Sequence, residues 1–273
     1  MGINVNGKDI VTPMVHDRHL VKFMYEFMVD NDMHKNAFKR PENLTILTTI
    51  GTTPDKNSDV NEGIMQERMM NTLEGYCGNK EGWSKDSLFE ASLKHIGIDD
   101  YVVLRKDLEK YGDWRCTFKI SWVLDYLESG KCDTDLLLCT DAIDVIFQDD
   151  PQKIVDIFNS FDCDMLFMST RDTTGYQHMP DVKEWVEKNH PGRYMNAGVW
   201  IAKVDFLKEF LKESLKYIGS EEPSFDNYQE WQKKTPKLEY PKHGHDQDIF
   251  RFLEPKYYPR LKVDHENLMA YRT

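Results

Sequence analysis

The sequence is short of positive charge, of paired cysteines and of long apolar runs, and each shortage closes off a class of function. Lys and Arg number 35 against 47 Asp and Glu, a formal net charge of −12. No Lys/Arg run interrupts that balance, so general binding to nucleic acid or to an anionic membrane is disfavoured, although a local groove could still admit a nucleic acid. The cysteines Cys77, Cys116, Cys132, Cys139 and Cys163 form no C-x-x-C pair, and an odd number leaves no complete disulfide framework. Reduced thiols follow. The N-terminal MGINVNGKDIVTPMVHDRH has no apolar signal core, and no uncharged apolar run is long enough to span a bilayer. A soluble protein of the cytoplasm or another non-secreted compartment is expected. In that setting the sequon Asn43-Leu44-Thr45, which opens an apparent strand, is a chance match.

What the chain does have is length and alternation. Its 273 residues can hold one large α/β domain or two small ones, with a sizeable core. Residues 44–50 (LTILTTI) are apolar and β-branched and run into Gly51-Thr52-Thr53-Pro54, which predicts a strand leaving its sheet into a loop. Residues 101–104 predict a second strand. Phe118, Trp122, Val123, Tyr126 and Leu127 recur at helical spacing, so FKISWVLDYLESG reads as a helix stopped near Gly130, with LLLCT (136–140) as the strand after it. Asp150-Pro151 has the form of an N-cap followed by proline at the first helical position, opening the helix PQKIVDIFNSF. Strands are expected at 164–170 and 197–202. Asp205 is placed to cap an amphipathic helix that turns Phe206, Leu207, Phe210, Leu211, Leu215 and Ile218 inward. Helices alternating with strands apolar on both faces indicate an α/β fold, a mostly parallel sheet covered on both sides. Residues 44–273 are expected to form that single domain, and residues 1–43 an N-terminal extension with one amphipathic helix at 20–29. No repeat is present. The polar, proline-bearing stretch 219–242 reads as a surface loop or lid.

Inside the run LLLCTDAIDVIFQDDP stand two carboxylates, Asp141 and Asp144, in mostly apolar surroundings. Asp141 falls where the strand LLLCT ends, and open α/β sheets collect ligands beyond the carboxyl ends of their strands. Two acids held close repel each other and resist burial as anions. A divalent cation resolves both problems, and oxygen ligands suit Mg²⁺ or Mn²⁺ bound together with substrate phosphates. A strand-end Asp also commonly closes a turn through backbone hydrogen bonds, and Pro151 explains Asp149 and Asp150 without any ligand. The strand-end position favours the cation, which would hold a diphosphate and ease its departure as a leaving group.

Taken with the rest of the chain, these residues resemble the nucleotide-sugar glycosyltransferases of GT-A type, and most of all the glycosyltransferase domain of the procollagen lysyl hydroxylases. TDAIDVIF is similar to that family's T-D/V-D-S-Y-D-V segment and sets Asp141 and Asp144 on its two metal-binding acids. Lys119, at the front of the preceding helix, matches a lysine held in a similar place. Met195-Asn196-Ala197-Gly198-Val199 resembles the N-[AS]-G-V stretch of glycogenin-like relatives, whose asparagine touches the donor sugar. His245-Asp246-Gln247-Asp248-Ile249-Phe250 resembles the D-Q-x-x-F/L element, whose acid and amide face the transferred sugar. LKVDHENL (261–268) resembles a following strand of the form L-D-H. The order of these pieces is preserved from about residue 44 to residue 265, which is more specific than any one motif. Three positions depart from the pattern. Ile143 stands where the family carries an aromatic that packs on the nucleotide, and His245 where it carries an acid. The family's third metal ligand, the histidine of a later H-G-x-G segment, has no counterpart before Thr273. Either that segment is lacking or another histidine serves: His265, or His243 and His245.

The resemblance implies a glycosyltransferase moving a sugar from a nucleoside diphosphate donor, UDP-sugar first, to a hydroxyl on a protein, a glycan or a modified nucleic-acid base. It implies Mn²⁺ or Mg²⁺ on Asp141 and Asp144, with His265 entered as the candidate third ligand. Asp246 and Gln247 are expected as the catalytic pair, with Lys119, Asn196, Gly198, Thr140 and Thr52 along the donor. Trp83 and Trp114, in polar loops, are candidate platforms for sugar or base. Each motif also has a plainer reading: Asp246 as the cap of DIFRFL, Asn196-Ala197-Gly198 as a tight strand start, Lys119 as a solvated helix residue. Two rival functions stand beside transfer. One is nucleotide-sugar binding without turnover, motivated by the missing histidine and by His245. The other is a metal-dependent phosphoesterase, which needs a second carboxylate cluster or a strand-end D-x-D-x-T nucleophile, and the sequence has neither. No iron site of the hydroxylase type is evident.

Overall fold

The computed structural model describes residues 3–5, 8–10, 12–17, 20–52, 87–107, 117–142, 144–190, 192–218 and 245–272. In chain order the strands are β1 (Ile3–Val5), β2 (Lys8–Ile10), β3 (Met14–His16), β4 (Leu44–Thr52), β5 (Val102–Asp107), β6 (Leu136–Thr140), β7 (Val145–Phe147), β8 (Met165–Thr170), β9 (Tyr194–Lys203), β10 (Leu261–Asp264) and β11 (Ala270–Tyr271). The helices are α1 (Val21–Asp30), α2 (Leu88–Ile96), α3 (Phe118–Glu128), α4 (Gln152–Ser160), α5 (Pro180–Asn189), α6 (Val204–Ser214) and α7 (Asp246–Tyr257). None of them is long and apolar enough to cross a membrane.

The central sheet has the order β10-β8-β9-β6-β4-β5. Its pairs are parallel except at β9, which runs antiparallel to both β6 and β8. β6 shows why the strand is apolar throughout. Leu136 and Leu138 pack into the cluster that α1, α2 and α4 cover, whereas Leu137 and Cys139 enter the one under α3, α6 and α7. Both faces are therefore core, as the unbroken apolar run predicts for a sheet between two helix layers. Each fully buried leucine there contributes about 1.5–3 kcal/mol.

A smaller sheet, β11-β3-β7, lies beside the first. Its centre is β3, and Met14 and Val15 are fully buried in the same cluster as α1. Residues 1–43, expected as an extension, thus contribute a strand and a helix to the body of the domain. Helix ends follow local chemistry. Ser87 and Glu90 form a reciprocal capping box at the start of α2, and Gly97 closes it with φ of 100°. Asp150 Oδ1 accepts from Gln152 N at 2.9 Å, but the cap position of α4 falls to Pro151, one residue later than expected. Asp205 does not cap α6; the helix starts one residue earlier, so this acid sits in the first turn, where its charge complements the helix dipole. The expected loop 219–242 lies outside the described residues.

Candidate active site

Register alone brings the site together. β6 ends at Thr140, and the next residue, Asp141, donates its N–H to Gly198 O of β9 at 2.7 Å. β7 begins immediately after Asp144, and its first residue, Val145, pairs with His16 of β3. The two ladders set His16 beside both acids. Its Nε2 is 3.3 Å from Asp144 Oδ2 and 3.6 Å from Asp141 Oδ2. The three donor atoms lie within 4.8 Å of one another, so this group could hold a metal ion.

Gly198 makes the convergence possible. A Cβ at that position would meet His16 Cε1, stand 2.7 Å from His16 Nε2, and stand 2.8 Å from Asp141 Oδ2. On its other nitrogen, His16 Nδ1 lies 3.0 Å from the sulfur of buried Met168. A neutral imidazole that offers Nε2 to a cation carries its proton on Nδ1, and Met168 Sδ is there to accept it, weakly. Arg272 Nη1 approaches the same ring, 2.9 Å from Nδ1 and 3.3 Å from Nε2.

Lys119, expected along the donor, joins two halves of the site. It extends from the first turn of α3, with Nζ 2.6 Å from Asp141 Oδ1 and 3.3 Å from both Asp246 Oδ2 and Ala197 O. Burial alone would lower its pKa, but Asp141 and Asp246 overrule that and raise it well above the usual lysine value. It is a buried, charged lysine, not a solvated helix residue. The Asp141 pKa is raised as well, which for an acid disfavours the charged form. Burial raises its pKa, Lys119 and His16 oppose the rise, and Asp144 adds to it. Asp246, 4% exposed, is also penalised by burial, yet Lys119, His245 and the Gln247 N–H hold its pKa below the ordinary value.

Beyond Asp246, α7 presents Gln247 to β9. Gln247 Oε1 accepts from Asn196 Nδ2 at 3.0 Å and from Ala197 N at 3.2 Å, and Asn196 Oδ1 accepts from Gly198 N at 2.9 Å. Both polar ends of Asn196 are thereby engaged. At its N-terminal end α7 is capped by no side chain; Asp246 is its first residue and accepts from the adjacent Gln247 N–H at 2.8 Å.

The PLOD GT domain family matches this chain over residues 79–221, just over half of its length. The chain belongs to the PLOD GT domain family. As a member it is a glycosyltransferase. Among solved structures, the crystal structure of mouse xyloside xylosyltransferase 1 in its apo form is similar, with 13% identity over 82% of this chain and 85% of that one, at a TM-score of 0.41. Comparison with curated proteins gives no match.

In this member of the PLOD GT domain family the structure brings Asp141, Asp144, Lys119, Asn196, Gly198, Asp246 and Gln247 to one end of the sheet. Two expectations fail on geometry. His265 is not in the donor group: its ring stacks on His190 at 4.2 Å, and burial, with His190 and Arg193 nearby, lowers its pKa to about 4. The histidine beside the acids is His16. Thr140 is 1% exposed and its Oγ1 has no partner among the described residues, because alternation along β6 turns it away from the face that carries Asp141. Thr52 closes β4, but its side chain, like Ile143, His243, Trp83 and Trp114, lies outside the described residues. His245 is half exposed with Nδ1 3.7 Å from Asp246 Oδ1. Sequence reasoning missed His16, Met168 and Arg272. A three-residue strand such as MVH has no readable period, so the signal that could have found His16 was only its place behind two apolar residues.

Proposed function

We propose that this domain transfers a sugar from a nucleoside diphosphate donor to a hydroxyl acceptor, with Mn²⁺ held by His16, Asp141 and Asp144. The observation that carries the reading is the convergence of one imidazole nitrogen and two carboxylate oxygens at the carboxyl end of β6. The donor set fits a cation, since Gly198 keeps the space open and Met168 can take the proton of the metal-binding tautomer. One nitrogen with two oxygens suits Mn²⁺ better than Mg²⁺, which favours oxygen ligands. When bound, the ion would neutralise charge on the diphosphate as its bond to the sugar breaks.

The protein's own groups divide the remaining work. Asp141 turns one oxygen to the cation position and the other to Lys119, which fixes the carboxylate's plane. Lys119 also keeps Asp246 ionised, so that Asp246 can accept a hydrogen bond from a sugar hydroxyl. Gln247 spends Oε1 on β9, which leaves its Nε2 donors for the sugar. Asn196 acts through Gln247 and the Gly198 backbone and is a positioning residue. His16 would complete the metal group without a later histidine, which weighs against binding without turnover.

The test is a panel of UDP-, GDP- and ADP-sugars incubated with Mn²⁺, scored by release of nucleoside diphosphate and by thermal stabilisation, which follows mass action even when the acceptor is unknown. One donor should stabilise the protein and be slowly hydrolysed in a Mn²⁺-dependent way, and His16→Ala and Asp144→Asn should each abolish that dependence. Equal, metal-independent behaviour of wild type and both variants would reject the reading.

A further inference from the structure

We propose that Arg272 is a diphosphate-binding arm that rests on His16 before the metal loads and is handed to the donor when it does. The inference rests on the metal assignment above and goes beyond it, naming a residue and an order of events. β11 runs parallel to β3 with Ala270 opposite Met14 and Tyr271 opposite Val15, so the next residue, Arg272, emerges level with His16. Its Nη1 stands 2.9 Å from His16 Nδ1 and 3.3 Å from Nε2. A guanidinium only donates, and a neutral imidazole has one accepting nitrogen. A cation on Nε2 uses that nitrogen and leaves the proton on Nδ1, where Met168 Sδ can take it and Arg272 cannot. Arg272 and the cation therefore compete for one lone pair, and their like charges repel at that range.

Displacement does not take Arg272 far, because the β11–β3 ladder keeps its backbone beside the site. What then arrives is a diphosphate, the anion whose paired oxygens match the planar fork of a guanidinium. Lys119 cannot serve, being held between Asp141 and Asp246. Arg272 is the cation of the site whose hydrogen bonds go to a ring that the metal claims.

The experiment measures two affinities on the intact chain and on Arg272→Ala and Arg272→Lys. The first is Mn²⁺ alone, by titration calorimetry or by the electron paramagnetic resonance of free Mn²⁺. The second is UDP, GDP and ADP at saturating Mn²⁺. Arg272→Ala is expected to bind Mn²⁺ alone several-fold more tightly and the best nucleoside diphosphate roughly 10–100-fold more weakly, the scale of a lost charge-assisted pair. Arg272→Lys keeps the charge without the fork, so Mn²⁺ binding should stay near wild type while diphosphate binding weakens. A residue needed only for folding would weaken both ligands together. Unchanged or weaker Mn²⁺ binding by Arg272→Ala, or diphosphate affinity within about twofold of wild type, overturns the proposal. Failure of the underlying metal assignment looks different: wild type itself would bind no nucleoside diphosphate in a Mn²⁺-dependent way.

Discussion

Gly198→Ala adds one methyl group at the point where the metal site is tightest. Gly198 sits across the ladder from Asp141, whose N–H it accepts, and the new Cβ would stand 2.7 Å from His16 Nε2 and 2.8 Å from Asp141 Oδ2. Ordinary contacts of a methyl carbon with nitrogen or oxygen are longer than 3 Å, so both donor atoms must retreat by several tenths of an ångström. His16 has little room to do so, being 1% exposed and held between Met168 Sδ and Arg272. Asp141 is tied through its other oxygen to Lys119 at 2.6 Å. Overpacking of this kind costs about 1–3 kcal/mol in folding stability. Coordination tolerates displacements of only about 0.2 Å, and disturbing the groups that orient metal ligands typically lowers affinity by about 10–100-fold. Mn²⁺ titration calorimetry and urea unfolding of the same preparations read the two effects separately. A Gly198→Ala protein that binds Mn²⁺ as tightly as wild type would refute the reasoning, because the cation would then lie away from His16 Nε2 and Asp141 Oδ2.

Other perturbations probe other parts of the site. Asp141→Asn keeps the shape but removes the charge, so donor turnover at saturating Mn²⁺ should fall at least roughly 100-fold; near-normal turnover would detach Asp141 from the metal. Lys119→Met leaves Asp141 and Asp246 without their shared cation, and removing one member of a buried pair costs about 3–5 kcal/mol, which urea unfolding should register as a lower midpoint. An unchanged midpoint would mean that solvent already screens those acids. Glu254 is almost wholly buried beside Tyr176, and burial raises its pKa from the ordinary 4.5 to about 7. Between those values the folded state keeps a proton that the unfolded state has lost, so the contribution of Glu254 to stability is full below about pH 4.5 and is lost as pH rises to about 7. The interval corresponds to roughly 3 kcal/mol. Unfolding midpoints of Glu254→Gln should lack that decline, and identical pH profiles for both proteins would remove Glu254 as its source.

What could be read from the sequence and what could not divide along physical lines. β6 and β9 were legible because a strand buried on both faces is apolar without interruption, and α3 and α6 because their inward residues recur at helical spacing. Asp141 and Asp144 stood out because charge in an apolar run needs a reason. β3, β7 and β11 are three residues long or shorter, so no period could announce them, and they are the strands that deliver His16 and Arg272. α2 escaped notice although its Ser87–Glu90 capping box is a sequence-level signal. His265 was a candidate third ligand because the family's later histidine has no counterpart in the sequence. Pairing between β3 and β7, separated by more than a hundred residues, instead sets His16 beside Asp144.

Charge counting connects these residues to an order of binding. Asp141, Asp144 and Asp246 are three carboxylates set against Lys119 and, on the His16 ring, Arg272, which leaves one negative charge if all are ionised. Burial raises the Asp141 pKa, and the neighbouring Asp144 adds to the rise. A divalent cation more than cancels that excess, with His16 as a neutral ligand. Until then a diphosphate would approach a site of its own sign, with Arg272 turned toward His16. Once the cation has loaded, the acids are compensated and the guanidinium has lost its acceptor on the ring. Metal should therefore bind before the donor, and Mn²⁺ should tighten nucleoside diphosphate binding far more than it tightens binding of the uncharged sugar alone.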